Sequence, residues 1–440
     1  MAAPLYDALA GFLQENPARF CMPGHKGRAV TPALSAGIGL DLTELPPTGN
    51  LYAGGDVIAQ AEALWAEAWG YPHAQFLTGG ATQGLHAALL LAAQEGDAIL
   101  ADRRAHRAIH HGMALWNLRP VWLPCGQDTP LSPDAVAAAL ETHRDIKTVC
   151  ITSPTYYGVL SDVAAIGAVC HRFGARLVVD AAHGAHLPFL GQNPFLGADL
   201  VVTSPHKTLP VYGQGAVLLG NGDFPNRRLR WAAAVTGTSS PSYPVMASLD
   251  WAREWATGAG QEEIQAGAAF VARCRAEFFA LTGDNLDSNR LTLCTARPGE
   301  GFLAQEELEK AGVWPEMADC DHVVCIVSGC ETAEDRERLF AAAKGCGRFT
   351  RGESAWRRTF PQPPAAEQVL GPREALFARR ERMPLRAAVG RVAAESVAPY
   401  PPGIPVIAPG ERVTKKSLAY LEQIGYNVDI PVEICQTFDP

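Results

Sequence analysis

Three short apolar runs, each followed directly by polar residues, constrain the fold of this chain most strongly. They span residues 148–151, 176–179 and 200–203, are rich in β-branched side chains, and lack the alternation of a half-exposed strand. Such runs are typical of parallel strands that are buried on both faces. Residues 162–173, between the first two runs, form an amphipathic segment with an acidic start and a glycine after its end, which favours a helix. The pattern predicts β-α-β units and therefore an α/β fold with a mainly parallel sheet.

The polar residues after these runs indicate a ligand site. Asp180 and His183 follow the second run, and Lys207 follows the third, with Ser204 and His206 just before it. Open α/β sheets bind their ligands at the carboxyl ends of the strands. A lysine beside a hydroxyl and an imidazole at this edge suits an amine that forms a Schiff base with pyridoxal 5'-phosphate (PLP), because Ser and His can hold the phosphate. The alternative, a solvated lysine in a loop, fits the short motif alone but not its position.

A second candidate for phosphate binding lies nearer the N-terminus. A predicted strand, 75–78, is followed by the glycine-rich residues 79–84, which include Gly80, Ala81 and Thr82, and then by a helical stretch. Free backbone N–H groups and the helix dipole at such a junction attract an anion. The alternative is an ordinary tight turn with Thr82 as a helix cap. Together with the Lys207 motif, the pattern favours a phosphate cradle.

Composition narrows the class of protein further. The 440 residues, 48% of them hydrophobic, can bury a large core and divide into two or more domains. The net charge of -9 and the absence of a dense Lys/Arg cluster argue against nucleic acid as a partner. No apolar run approaches the length of a membrane span, and the N-terminal residues do not resemble a signal peptide. The 11 scattered cysteines predict reduced thiols and a cytoplasmic location.

The closest group of cysteines, Cys320, Cys325 and Cys330, is a weak metal candidate. Residues 323–327 are expected to form a core strand, and free cysteine often acts as a small buried hydrophobe. We therefore predict no metal site.

The chain resembles the Orn/Lys/Arg decarboxylases of PLP fold type I. Five motifs occur in the order of that family and together cover nearly the whole chain: residues 23–27, 79–84, 180–184, 204–207 and 400–405. The resemblance implies a large domain like that of aspartate aminotransferase, with smaller α+β C-terminal domains. It also implies decarboxylation of arginine, lysine or ornithine to the amine and CO2, which feeds polyamine metabolism. The expected units are an N-terminal arm (1–55), a PLP-binding large domain (56–265), a small α/β domain (266–350), and a linker with a C-terminal domain (351–440).

The resemblance also implies roles for individual residues. Lys207 would form the Schiff base, and Asp180 would hold the pyridinium nitrogen protonated, so that the ring takes up the electron pair left by CO2. His106 would stack on the ring, although it can also be a satisfied buried histidine. Thr155 would lie near the phenolic oxygen. Lys207 or His183 would return a proton to the reacting carbon. The residues expected around the cofactor, with its phosphate, are Gly80, Ala81, Thr82, Ala182, Ser204 and His206.

The chain departs from the family pattern in places. It begins directly with the arm, without the N-terminal wing domain of larger members, so that their ring-shaped assemblies are not expected. Arg104, Arg107 and Ala108 stand around His106 where the family has an Asn before and a Lys-Ser after the histidine. Because type I sites form between subunits, the resemblance implies a homodimer or a dimer of dimers.

Substrate choice and reaction type stay open at this point. A site for a basic amino acid should place an acid at the distal cation, and Glu316 and Glu395 are the candidates, although each can also be a solvated surface acid. Another PLP reaction of fold type I, by a lyase or an aminotransferase, is the first alternative function. A catalytically silent PLP-binding protein is the second, and the presence of Lys207 and Asp180 argues against it.

Overall fold

The computed structural model describes residues 18–20, 42–44, 48–126, 128–191, 193–350, 364–365, 367–399 and 403–436. The motif at 23–27, most of the expected N-terminal arm and residues 400–402 of the last motif lie outside the described residues.

Fourteen strands are numbered along the described chain. They are β1 (Ala18–Phe20), β2 (His73–Leu77), β3 (Ala98–Asp102), β4 (Arg119–Leu123), β5 (Thr148–Thr152), β6 (Arg176–Ala181), β7 (Leu200–Thr203), β8 (Ala216–Gly220), β9 (Arg290–Cys294), β10 (Val313–Pro315), β11 (Met317–Ala318), β12 (His322–Ile326), β13 (Arg380–Pro384) and β14 (Pro431–Cys435).

The described α-helices are numbered in the same way. They are α1 (Val57–Ala68), α2 (Gly80–Ala92), α3 (Arg107–Leu115), α4 (Pro133–Thr142), α5 (Val163–Arg172), α6 (Pro205–Thr208), α7 (Asn226–Thr236), α8 (Tyr243–Thr257), α9 (Gly260–Glu277), α10 (Gly301–Lys310), α11 (Ala333–Cys346), α12 (Pro372–Phe377) and α13 (Lys415–Gln423). No helix among them combines the length and the apolar character that crossing a membrane requires.

A seven-stranded sheet with the order β2-β8-β7-β6-β5-β3-β4 forms the large domain. Within it, β8 runs antiparallel to both of its neighbours, and the other strands are parallel to one another. The mainly parallel α/β sheet predicted from the apolar runs is therefore confirmed.

Both faces of this sheet are covered, which explains why the runs lack alternation. In β6, Leu177 and Val179 point into a core that also contains Trp65, whereas Val178 points into a second core with Leu89. Each fully buried aliphatic side chain of this kind contributes about 1.5–3 kcal/mol. Helix α5 follows β5 as predicted, and Asp162 caps it by accepting a hydrogen bond from the N–H of Ala165.

The small domain is an antiparallel sheet of order β11-β12-β9, with a core formed by its strands and helices α9, α10 and α11. Strand β1 pairs in parallel with β10 and so ties the described part of the N-terminal arm to this domain. Cys325 lies in β12 and is fully buried in this core. Among the described residues, no group of His, Cys, Asp or Glu side chains is arranged to hold a metal ion.

Residues 243–277 form two helices, α8 and α9, because the backbone of Gly258 leaves the helical region and its N–H donates to the carbonyls of Glu254 and Trp255 at the end of α8. One helix boundary differs from the one that the sequence indicates. Helix α2 begins at Gly80 rather than at Leu85. Gly80 enters the helix with φ of 71°, which is open to glycine, so the expected loop forms the first turns of α2.

The C-terminal unit, built around the antiparallel pair β13–β14, docks on the large domain through a buried ion pair. The guanidinium of Arg103 donates to both oxygens of Glu411, at 2.7 and 2.9 Å, and to the carbonyl of Val406 at 2.8 Å. Next to this contact, the N–H of Arg107 donates to the carbonyl of Gly403 at 3.2 Å. The contacts fix the segment after residue 402 against the start of α3.

We expect Glu411→Gln to lower the free energy of unfolding by about 3 kcal/mol, because it leaves a buried guanidinium without its carboxylate. Urea unfolding followed by circular dichroism measures the change. Glu422→Gln is the matched control, since Glu422 pairs with Arg386 at the surface and such pairs contribute little. Equal stability of the two variants would contradict the role given to the Arg103–Glu411 pair.

Candidate active site

A cavity of about 300 Å³ opens at the carboxyl end of the seven-stranded sheet. All the residues predicted to be catalytic or to bind the cofactor line it, although they come from different strands and helices. They are Gly80, Ala81, Thr82, His106, Thr155, Asp180, Ala182, His183, Ser204, His206 and Lys207. Parallel strands bring them together because their carboxyl ends meet at one edge of the sheet.

Lys207 lies on the short helix α6, directly after β7, and its Nζ is 2.9 Å from Nε2 of His183. Burial lowers the pKa of the Lys207 amine below its usual value, although the carboxylates of Asp180 and Glu316 act to raise it. An amine with a lowered pKa loses its proton more easily and can attack a carbonyl carbon. Lys207 is thus prepared for the chemistry that the sequence predicts.

Asp180 is buried at the end of β6, where its Oδ1 accepts a hydrogen bond from the N–H of Ala182 at 3.1 Å. Burial raises the pKa of this carboxyl, and the positive charge of Lys207 opposes the rise. A carboxylate in such a place needs a cationic partner to stay ionised. The protonated nitrogen of a bound pyridine ring is a partner of that kind.

One end of the cavity is suited to a phosphate. The first turn of α2 opens there, and the N–H groups of a first helical turn lack acceptors within the helix. The Ser204 hydroxyl is buried at the cavity and has no hydrogen-bond partner among the described residues. His206 lies beside it, and its Nδ1 donates to the carbonyl of Gly215 at 2.9 Å. The orphaned hydroxyl and the helix terminus together form an anion site.

His106 lines the cavity as a neutral ring. It caps α3, where its Nδ1 accepts a hydrogen bond from the N–H of Ala108 at 3.2 Å. Burial lowers the pKa of His106 to about 3, and the nearby Lys207 and Arg107 add to the effect. An uncharged imidazole can stack on a flat cofactor ring without placing a second cation in the cavity.

Thr155 is buried at the cavity wall, and its Oγ1 accepts a hydrogen bond from the N–H of Val159 at 3.1 Å.

The two acids proposed for substrate binding occupy different places. Glu316, between β10 and β11, accepts a hydrogen bond from the hydroxyl of Tyr156, which lines the cavity. Glu395 does not line the cavity, and its Oε1 accepts a hydrogen bond from the N–H of Glu433 in the C-terminal unit. Glu316 does not line the cavity either, but it contacts the cavity wall through Tyr156 and acts on the pKa of Lys207, whereas Glu395 does neither.

Several residues at the site were missed in the sequence. Tyr156, Arg104 and Ile404 line the cavity. Arg290 does not line it, but its Nη2 lies 3.1 Å from Nδ1 of His183. Tyr156 is the residue after Thr155 and could have been proposed from that position. Arg290 has no such signal, because it opens a strand of another domain.

Two family models match the chain. The major domain of the Orn/Lys/Arg decarboxylases matches residues 3–282, and the C-terminal domain of these enzymes matches residues 355–427. The chain belongs to the Orn/Lys/Arg decarboxylase family. It is accordingly a PLP-dependent decarboxylase of fold type I, as the resemblance in its motifs implied.

Relatives of this decarboxylase match it over nearly its whole length. It is 31% identical to an uncharacterised protein, YaaO, of Bacillus subtilis, over 96% of this chain and 94% of that protein. It is 28% identical to an arginine decarboxylase of Halalkalibacterium halodurans, over 98% of this chain and 94% of that protein. The structure of the constitutive lysine decarboxylase of Escherichia coli matches with a TM-score of 0.72 at 18% identity, covering 99% of this chain and 82% of that one. This last likeness concerns the fold.

The residues present fit PLP. The first turn of α2 with Ser204 and His206 would hold its phosphate, Asp180 its ring nitrogen, and Lys207 its aldehyde carbon. The fit rests on the orphaned Ser204 hydroxyl and on the buried carboxyl of Asp180, since both lack a full set of partners within the decarboxylase itself.

We expect Ser204→Ala to weaken PLP binding about tenfold, because a hydrogen bond to a charged group contributes about 1.5 kcal/mol. Titration of the PLP-free protein, followed by visible absorption, measures the dissociation constant. Thr208→Val is the matched control, since the Thr208 hydroxyl is also buried without a partner among the described residues but does not line the cavity. The assignment of Ser204 fails if both variants bind PLP like the parent.

Proposed function

We propose that this protein decarboxylates a basic amino acid, namely arginine, lysine or ornithine, to the corresponding amine and CO2. The observation that carries the proposal is the meeting of the Lys207 amine, the Asp180 carboxyl and the α2 terminus in one cavity. The names of its relatives support a basic substrate, and the arginine decarboxylase among them makes arginine the first candidate. The amine products are precursors of polyamines, so we also propose a role in polyamine formation.

The roles of the residues follow from their positions. When PLP is bound, its protonated ring serves as the sink for the electron pair that departing CO2 leaves behind. Asp180 keeps the proton on the ring nitrogen, because a buried carboxylate is stabilised by the cation beside it. Lys207 would provide the amine that binds the aldehyde of the cofactor. His106 would lie against the cofactor ring as an uncharged imidazole.

The docked C-terminal unit completes the wall of the site. Ile404 lines the cavity, held there by the contact between Gly403 and Arg107 and by the buried Arg103–Glu411 pair. An apolar side chain at this place excludes water, which strengthens the electrostatic interactions inside. The exclusion of water favours decarboxylation, because the carboxylate of the substrate must lose its hydration.

A homodimer in the cytoplasm is part of the proposal. Helix α7 exposes two apolar side chains four residues apart, Trp231 and Val235, and so presents an apolar stripe on one face. Exposed apolar surface of this kind often marks a protein interface. Fold type I enzymes build their sites between two subunits, and this stripe is a candidate contact.

Turnover tests the proposed function directly. The protein with PLP should release CO2 and the matching amine from at least one of arginine, lysine and ornithine, assayed in parallel by chromatography of the amines. Lys207→Ala should lose both the visible absorption of bound PLP and turnover, because the amine that holds the cofactor is gone. Formation of a keto acid instead would indicate an aminotransferase, and no reaction with any of the three would favour a silent PLP-binding protein.

We expect Glu316→Gln to raise the KM of the preferred substrate about tenfold and to change kcat less, because the distal cation then lacks its carboxylate in both ground and transition states. Glu395→Gln is the control, since Glu395 lies away from the cavity and bonds to the backbone of Glu433. Steady-state kinetics of the two variants separate the candidates. Unchanged KM in Glu316→Gln would mean that other residues bind the distal cation.

A further inference from the structure

His183 lies between the side chains of Lys207 and Arg290. Its Nε2 is 2.9 Å from Nζ of Lys207, and its Nδ1 is 3.1 Å from Nη2 of Arg290. The imidazole is buried, and burial lowers the pKa of His183 well below its usual value, with Lys207 and Arg290 adding to the effect. His183 is therefore a neutral ring that carries one proton, on one of its two nitrogens.

The guanidinium of Arg290 decides which nitrogen carries that proton. Arginine has five N–H donors, no acceptor, and does not lose its charge in proteins. A hydrogen bond from Arg290 thus requires a lone pair on Nδ1 of His183. In a neutral imidazole the proton must then be on Nε2, which faces Lys207.

This tautomer also decides the state of Lys207. Because Nε2–H donates, the Nζ atom opposite it has to accept, and an ammonium group has no lone pair with which to do so. The geometry favours the neutral amine of Lys207, in agreement with its lowered pKa. The same arrangement prevents His183 from relaying a proton, because the guanidinium of Arg290 does not release a proton to Nδ1.

Arg290 reaches His183 from the small domain. It is the first residue of β9, it is 1% exposed, and it also donates to the carbonyl of Tyr156 at 3.2 Å. The carboxylate of Asp287, three residues earlier in the chain, interacts electrostatically with this guanidinium, which helps to lower the pKa of Asp287 although burial acts to raise it. Gly158, with φ of 92°, leaves room for the side chain, because a Cβ at that position would lie 2.6 Å from Cγ of Arg290. The lack of a side chain at Gly158 therefore leaves space for Arg290.

We propose that Arg290 is a positioning residue that holds His183 with its proton on Nε2, so that His183 donates a hydrogen bond toward Lys207 and does not act as an acid. The proposal deepens and rests on the proposed function, in which Lys207 holds the cofactor. It assigns to the small domain a direct influence on the amine of the large domain.

The first experiment observes the tautomer itself. Histidine labelled with the heavy nitrogen isotope is incorporated into the full chain, PLP is removed, and His183→Gln identifies the resonances of His183 in solid-state NMR. We expect Nδ1 of His183 to be unprotonated and Nε2 to be protonated in the parent, and the proton to be redistributed in Arg290→Met. A proton on Nδ1 in the parent, or the same tautomer in Arg290→Met, would overturn the proposal.

The second experiment follows the amine. The titratable and charged groups near Lys207 are Asp180, Glu316, Arg290 and the imidazoles of His106 and His183. Among them, Arg290 acts to lower the pKa of Lys207. Removing the guanidinium should therefore raise this pKa, and the pH midpoint for PLP capture should rise by about one unit in Arg290→Met. Arg290→Lys, which keeps the charge and the donor, should stay near the parent. Visible absorption of captured PLP measures each midpoint.

Arg275→Met is the matched control. Arg275 donates to the carbonyls of Asp287 and Arg290 within the small domain, so its loss tests the effect of loosening the backbone that carries Arg290. An equal midpoint shift in Arg275→Met and Arg290→Met would make Arg290 a structural residue and overturn the proposal. Arg290→Gln replaces Arg290→Met if the latter does not fold, with the midpoint again expected to rise because the charge is lost. Neither experiment uses a substrate, so a failure of decarboxylation and a failure of this proposal remain distinguishable.

Discussion

A lysine amine and a carboxyl group are buried together at the carboxyl edge of the sheet, and the rest of the site depends on the cost of that burial. Ionised groups lose hydration inside a protein and either find partners or change their protonation state. Lys207 responds with a lowered pKa and Asp180 with a raised one. Both shifts mean that Lys207 and Asp180 do not fully stabilise each other's charged forms. A cofactor with an aldehyde and a basic ring nitrogen provides a partner for each group, the aldehyde for Lys207 and the ring nitrogen for Asp180.

The two neutral imidazoles that line the cavity with Lys207 follow from the same constraint. His106 and His183 both have pKa values that burial moves below the ordinary range. Burial disfavours a charge on either ring, and neighbouring basic side chains, Lys207 for both rings and Arg290 for His183, disfavour it further. Each ring is instead fixed by one hydrogen bond at Nδ1, from the N–H of Ala108 to His106 and from Arg290 to His183. The site therefore controls charge and tautomer together.

The sequence could predict the sheet and the residues at its edge, because both depend on local pattern. Continuous β-branched runs require burial on two faces, and polar residues directly after them must then emerge at the carboxyl edge, as Asp180 and Lys207 do. Arg290 and Ile404 could not be predicted in this way, since they reach the cavity through docking of other domains. The same limit applies to the choice between Glu316 and Glu395. The residues next to each acid in the sequence do not distinguish them, and only tertiary packing shows which of the two lies near the cavity.

The departure from the family pattern at Arg104 has a physical explanation in the fold. Its guanidinium donates to both oxygens of Asp102, the last residue of β3, and to the carbonyls of Gly126 and Thr129 at 3.0 and 2.7 Å. Although burial acts to raise it, Arg104 holds the pKa of Asp102 below its usual value. With four carbonyl or carboxylate acceptors already in place, this guanidinium has little capacity left for a substrate carboxylate. Arg104 therefore serves to fix the turn that carries His106, and the cavity gains an arginine in its wall without gaining a competing anion site.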